Sequence, residues 1–234
     1  MSTSHTCTPL KLVYFAVRGR AEPVRLMLEL TGVPYDYEEI PIAVWPTPSG
    51  KQRFLASTPL GQLPILQDGD FFLCQSAAIY KYVARRVGLY GATLQEDARI
   101  DEVTETAGDL LLDLGTLFWD PRFAERRTEH RPALRKKLEQ LQDYFVRVGA
   151  GPAHWIQPGR YTLADVRMAY ALESVMPLHP GLLEEFPRLH DAMQRFFSTD
   201  GVREYVRSDR RCRTYTVALA SFGGKPEETH HFTD

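Results

Sequence analysis

Three short stretches set reactive or ligand-holding groups at informative spacings. The first is Thr58-Pro59-Leu60-Gly61-Gln62-Leu63-Pro64-Ile65. A proline opening a strand cannot donate to the ladder, so its place there is unusual. If the Leu63–Pro64 bond is cis, the backbone before it turns outward. Its N–H and C=O groups then form an edge on which an extended peptide can dock. The plainer alternative is an ordinary turn before a strand. The second is Gln75-Ser76, at an expected strand-to-helix junction. Free N–H groups and the positive end of a helix dipole favour a carboxylate or phosphate there, unless Ser76 is simply an N-cap. The third is Tyr14-Phe15, ahead of Arg18-Gly19-Arg20. A phenol at that strand end either aims its hydroxyl at a ligand beside the first helix or packs in the core.

Other groups point less far. Cys74 precedes Gln75 on an expected strand and reads as a structural thiol rather than a nucleophile. His230-His231 has no further ligand at metal-binding spacing, so no metal is expected. Arg203, Arg207, Arg210, Arg211 and Arg213 form a basic run with only Tyr205 and Tyr215 nearby. That is a solvated face rather than a nucleic-acid patch, which needs interleaved aromatics.

The elements that must position these groups fall into two regions. Residues 10–15 read as a strand, and residues 21–31 as a helix with Pro23 in its first turn and Gly32 as its stop. Residues 35–42 read as a second strand, and residues 45–58 as irregular. Residues 63–67 and 71–74 flank Asp68-Gly69-Asp70, a hairpin signal. Residues 76–87 then read as a helix with Ser76 as N-cap. Beyond Thr93 the pattern is helical. A long helix over 95–119 precedes one over 131–148, whose Leu134, Leu138, Leu141, Phe145 and Val148 make a bundle seam. Thr162 and Asp165 make a capping box for a helix over 166–175. Shorter helices are expected near 188–198 and 201–207, and residues 221–234 read as a loose polar tail.

Composition sets the outer limits. The chain has 234 residues, 44% of them hydrophobic, enough for one large domain or two small ones with a sizeable core. Lys and Arg number 28 against 30 Asp and Glu, so no broad attraction to nucleic acid or an anionic membrane is expected. There is no run of about 18 apolar residues, hence no expected membrane span. Residues 1–9 are polar, which argues against a secretory signal. Three cysteines, Cys7, Cys74 and Cys212, are too few and scattered for a disulfide framework. A reducing cytoplasm is the expected compartment.

Taken together, the motifs resemble the cytosolic glutathione transferases with an active-site tyrosine, nearest the pi and sigma classes. The resemblance rests on Val13-Tyr14-Phe15-Ala16-Val17-Arg18-Gly19-Arg20-Ala21-Glu22, Gly61-Gln62-Leu63-Pro64, Gln75-Ser76 and Gly88-Leu89-Tyr90-Gly91. It runs through Leu110 and the Thr162–Asp165 box, about residues 10 to 215. It implies an α/β thioredoxin-like N-terminal domain over 9–90, which binds glutathione. It further implies an all-α helical-bundle C-terminal domain over 93–220, which contributes the hydrophobic substrate site.

The resemblance also implies residue roles. Tyr14 matches the tyrosine that hydrogen-bonds the glutathione sulfur, and Arg20 an arginine that supports the site's electrostatics. Trp45 and Lys51 match the pair on the glycine carboxylate. Leu63 matches the residue whose backbone pairs with the cysteinyl group. Gln62 and Gln75 match holders of polar groups of the peptide, Ser76 the holder of the γ-glutamyl carboxylate, and Asp109 an acid reaching the γ-glutamyl amine of the neighbouring subunit. Phe15, Val17, Gly115 and Trp119 match the hydrophobic site, with Trp119 where the pi class carries tyrosine. That change enlarges the apolar wall, removes a hydroxyl donor and favours flat, apolar electrophiles.

By the same resemblance, Leu60 stands where the pi class carries an aromatic dimer key, and Lys81 and Arg85 face the family's interface with Asp101 and Glu105 as candidate answering charges; a homodimer is still implied. The expected activity is conjugation of glutathione, as co-substrate, to small hydrophobic electrophiles. A glutathione-dependent isomerase, such as a prostaglandin synthase, and a non-catalytic carrier on the same fold are the alternatives.

Overall fold

The structure is a computed structural model that describes residues 9–45, 47–55, 58, 60–149 and 151–232. Cys7 and most of the polar N-terminal stretch lie outside the described residues.

The strands are β1 (Leu10–Tyr14), β2 (Tyr35–Glu39), β3 (Ile65–Asp68) and β4 (Phe71–Cys74). They form one mixed sheet in the order β2-β1-β3-β4, with β1 parallel to β2 and antiparallel to β3. Side chains alternate across it as strand geometry requires. Leu10, Leu12, Tyr14 and Leu66 enter the main core, whereas Val13 and Ile65 meet Ile40 and Phe54 on the other face. Helices α1 (Glu22–Thr31) and α3 (Ser76–Arg86) flank this unit, and Gly32 closes α1 at φ 65°, a left-handed conformation suited to glycine.

Helix α2 (Pro48–Leu55) occupies the segment expected to be irregular. Thr47 Oγ1 accepts a hydrogen bond from the Gly50 N–H at 3.1 Å, an N-cap ahead of a proline in the first helical position.

The rest is helical: α4 (Leu94–Phe118), α5 (Phe123–Val148), α6 (Leu163–Leu178), α7 (Pro187–Phe197) and α8 (Val202–Arg207). The helix expected over 131–148 begins eight residues earlier, at Phe123. The helix runs through Pro132, and its opening residue Phe123 stacks on Phe222 at 4.6 Å. Leu134, Leu138, Leu141 and Phe145 are buried as a seam, but Val148 at the helix end is exposed. The Thr162–Asp165 capping box forms, and the buried Asp165 carboxylate also accepts from the Trp155 N–H at 2.8 Å.

Two further expectations fail. The segment after Ser221 is packed: Phe222 stacks in the helical core, Phe232 lies 4.4 Å from the Phe197 ring, and Thr229 is buried. The arginine run is not uniformly solvated either. Arg211 is 3% exposed and joins Arg18, Glu22, Arg25 and Glu173 in a buried network. Glu173 bridges Arg18 at 3.3 Å and Arg211 at 2.8 Å, and Glu22 bridges Arg211 at 2.8 Å and Arg25 at 3.0 Å. Burial pushes the Glu22 carboxyl up, yet the three surrounding guanidinium groups outweigh it and hold it below the usual carboxylate range. This network ties the loop after β1, helix α1, helix α6 and the C-terminal segment together.

Candidate active site

Tyr14 closes β1 and is 8% exposed, at the edge of a cleft of about 810 Å³ between the α/β unit and helices α4 and α6. The loop after β1 doubles back so that the Arg20 backbone N–H donates to the Tyr14 hydroxyl oxygen at 3.3 Å. The phenolic hydrogen remains available to a ligand. Burial raises the Tyr14 pKa; the Arg20 N–H and nearby guanidinium charges oppose it without cancelling it. The phenol therefore stays protonated at neutral pH and serves as a donor.

Gly19 makes this arrangement possible. Its φ is 42°, and a Cβ there would lie 2.8 Å from the Tyr14 hydroxyl oxygen. The loop is held from outside as well. The Arg18 and Gly19 N–H groups donate to the carbonyls of Thr214 and Tyr215 at 2.8 and 3.0 Å, and Arg18 Nε donates to the Cys212 carbonyl at 2.9 Å.

Phe15, Val17, Arg20, Ser76, Asp109, Gly115 and Trp119 line the same cleft as Tyr14. Trp119 ends α4 and is 53% exposed, presenting a broad apolar wall. Arg20 and Asp109 are exposed; Ser76 is half-buried. The other residues anticipated from the sequence sit beside the cleft in two groups. Trp45 packs edge-on against Phe15 at 6.3 Å, and Lys51 Nζ stands 5.8 Å from the Trp45 ring. Gln75 donates to Gln62 side chain to side chain, and the Leu63–Pro64 bond is cis. Ser76 is the first residue of α3 rather than its cap. That position belongs to Gln75, which has φ 74°, a left-handed conformation uncommon outside glycine. The strained junction turns the start of α3 toward the cleft.

Lys81 pairs within its own chain, with Asp101 at 3.2 Å and Glu105 at 3.6 Å, and Arg85 pairs with Asp97 at 3.8 Å. Leu60 is exposed. Cys74 is half-buried rather than buried. His231 Nδ1 lies 3.4 Å from Arg18 Nη2. Among the described residues no group of three or more His, Cys, Asp or Glu is arranged to hold a metal ion, and no helix is long and apolar enough to cross a membrane.

Sequence reasoning missed Tyr80, Phe118, Arg167, Tyr170, Tyr215 and Val217, all of which line the cleft. Tyr80 lies one turn beyond Ser76, and its hydroxyl donates to the Arg20 carbonyl; that spacing is the one local signal that marks it. The others come from distant helices and the C-terminal segment.

A family model described as glutathione S-transferase, N-terminal domain, matches residues 10–85, and one described as glutathione S-transferase, C-terminal domain, matches residues 109–209. Glutathione S-transferase P 1 of Xenopus laevis is 34% identical over 203 residues, covering 86% of this chain and 92% of that protein. Glutathione S-transferase Mu 1 of Oryctolagus cuniculus is 31% identical over 209 residues, covering 88% and 94%. A pi-class glutathione S-transferase structure from Onchocerca volvulus shares the fold, with a TM-score of 0.80 at 24% identity over 91% of this chain and all of that one. The sigma-class enzyme of Fasciola hepatica superposes with a TM-score of 0.76 at 27% identity, covering 89% of this chain and 99% of that one. With an N-terminal α/β unit, a helical C-terminal domain and relatives aligned over most of its length, the chain belongs to the glutathione S-transferase family.

Proposed function

We propose that the chain conjugates reduced glutathione to small hydrophobic electrophiles, with Tyr14 as the donor that keeps the tripeptide's sulfur ionised. The observation that carries this reading is the Tyr14 phenol: buried, protonated, with no hydrogen bond donated among the described residues, in a cleft that Trp119 also lines. A free thiol has a pKa of about 8.5, so only a few per cent is thiolate at neutral pH. Lowering it by about two units takes roughly 2.7 kcal/mol. One charge-assisted hydrogen bond contributes about 1.5–3 kcal/mol, and Arg20 with the start of α1 adds to it. The thiolate then attacks the electrophilic carbon, forming the C–S bond as the leaving group departs with its electron pair; the thiol proton has gone to solvent.

Glutathione carries a carboxylate at each end and one ammonium. We assign Lys51 and Trp45 to the glycine carboxylate, Ser76 to the γ-glutamyl carboxylate, Gln62 and Gln75 to its polar groups, and the Leu63 backbone to the cysteinyl group. Asp109 answers the ammonium of a partner protomer. Phe15, Val17, Gly115 and Trp119 receive the electrophile. Residues 9–90 act as the glutathione-binding unit and residues 93–220 complete the substrate site. Exposed Leu60 and Leu112 support burial against a second copy, and a two-fold homodimer in a reducing cytoplasm is the working form. The relatives are named as transferases, which favours neither the isomerase nor the carrier alternative.

The test is turnover of glutathione with an aromatic halide. Tyr14→Phe is expected to slow conjugation about 10- to 100-fold, or 1.4–2.7 kcal/mol, with little change in glutathione affinity and loss of the ultraviolet thiolate band. An unchanged rate removes Tyr14 from the chemistry.

A further inference from the structure

Among the described residues four arginines are buried: Arg18, Arg25, Arg167 and Arg211. Three are answered by Glu22 or Glu173. Arg167, in the second turn of α6, is the exception. It is 8% exposed, and its Nε is buried without a hydrogen-bond partner. Among the described residues no carboxylate pairs with it. Its guanidinium rests on the Tyr80 ring, 4.5 Å from the centroid. Nη2 lies 3.4 Å from where a Cβ on residue 108 would stand, ordinary contact distance, so the guanidinium packs beside Gly108 of α4.

A desolvated cation costs more than one aromatic face returns. Yet Arg167 lines the cleft, where an anion from outside the chain can reach it. Its position along the cleft selects the anion. Gly108 and Trp119 are eleven residues apart on α4, about 16 Å at 1.5 Å per residue, so Arg167 stands far from the apolar end. It stands instead against Tyr80, which lies one turn beyond Ser76 on α3. Ser76 opens α3, where the helix dipole favours negative charge. Arg167 and Ser76 thus line one cleft and share Tyr80 as a neighbour.

We propose that Arg167 binds the γ-glutamyl α-carboxylate of glutathione, sharing it with Ser76. This assignment rests on the glutathione reading of the site and adds to it a cation supplied by the helical domain. A planar guanidinium offers two parallel donors to one carboxylate, which an ammonium cannot. The tripeptide is then held from both halves of the chain, by the α3 start on one side and α6 on the other.

The decisive measurement is isothermal titration of wild type, R167Q and R167K with two ligands. One is glutathione; the other is 4-aminobutyryl-cysteinylglycine, which lacks only the α-carboxylate. Wild type is expected to prefer glutathione by about 10- to 100-fold, the worth of a charge-assisted hydrogen bond. R167Q should lose most of that preference, with the affinity for the analogue changing less than about twofold and the KM for the aromatic halide unchanged. R167K, which keeps the charge without the fork, should fall between the two, and it decides the matter if R167Q does not fold. An unchanged preference in the variants, or an equal loss on both ligands, overturns the assignment while leaving the glutathione reading intact. A change in oligomeric mass without a change in preference assigns Arg167 to a subunit contact and overturns it too. Failure of wild type to bind glutathione sinks both readings.

Discussion

Replacing Gly19 by alanine tests the geometry of the sulfur site more sharply than removing the phenol. A Cβ at this position would stand 2.8 Å from the Tyr14 hydroxyl oxygen and 2.9 Å from its Cε1, where ordinary contact begins near 3.4 Å. The phenol must retreat by about 0.6 Å, the difference between those distances. A misplacement of about 1 Å can cost 100-fold in rate, so a shift of this size should cost about 10-fold, or 1.4 kcal/mol. The residue also has φ 42°, and a side chain in that backbone region costs about 1–2 kcal/mol of stability. Gly32 provides the control. It has φ 65° with nothing within 4 Å of its Cβ position, so Gly32→Ala carries the strain without the contact. Steady-state kinetics with an aromatic halide and thermal unfolding of both variants separate the two effects. Similar losses in Tm, with kcat reduced about 10-fold only in Gly19→Ala, are expected. Equal kcat in the two variants would refute the placement of Tyr14 by the loop.

Glu173→Gln leaves Arg18 and Arg211 buried without their shared carboxylate, and should destabilise the chain by about 3–5 kcal/mol in denaturant unfolding; a loss below 1 kcal/mol would contradict the network. Glu22 has a depressed folded pKa, so its contribution is present above the ordinary carboxylate value of 4.5 and is lost as pH falls through the lower folded value. Stability measured against pH should therefore fall below about pH 4.5, and Glu22→Gln should flatten that slope; an unaltered slope would exclude Glu22 as its source. Trp119→Ala should raise the KM for a flat aromatic electrophile about 2- to 12-fold, the worth of an aromatic contact of about 0.5–1.5 kcal/mol, and leave the KM for glutathione unchanged. Light scattering at micromolar concentration should return twice the chain mass; a monomer would contradict the homodimer.

Where local chemistry decides structure, the sequence was readable. A short run rich in β-formers marked β1, Gly32 the end of α1, Asp68-Gly69-Asp70 the hairpin, and Thr162 with Asp165 the start of α6. The tyrosine, the Pro64 turn and the α3 junction were legible for the same reason. Helix α2 was missed although Thr47 ahead of Pro48 is a cap signal, because its residues are largely polar. The first turns of α5 were missed because residues 124–131 are mostly polar and extend no apolar seam; Phe123 alone packs there, on the distant Phe222. The buried charges left no local trace. Arg18 and Glu173 are 155 positions apart, Glu22 and Arg211 are 189 apart, and only the closed fold makes them partners. Arg167 went unread because nothing in α6 distinguishes it from a surface arginine.

The grip of the Thr214 and Tyr215 carbonyls on the loop after β1 has a bearing on biosynthesis. Arg18 leaves the ribosome 194 residues ahead of Cys212, whose carbonyl receives its side chain. During translation the corner that holds Tyr14 is therefore unfinished long after its own strand has emerged. A nascent or prematurely released polypeptide would have the tyrosine but not the clasp that fixes its neighbours, and a bulky fusion grafted close behind Tyr215 would strain that clasp from the opposite end of the molecule.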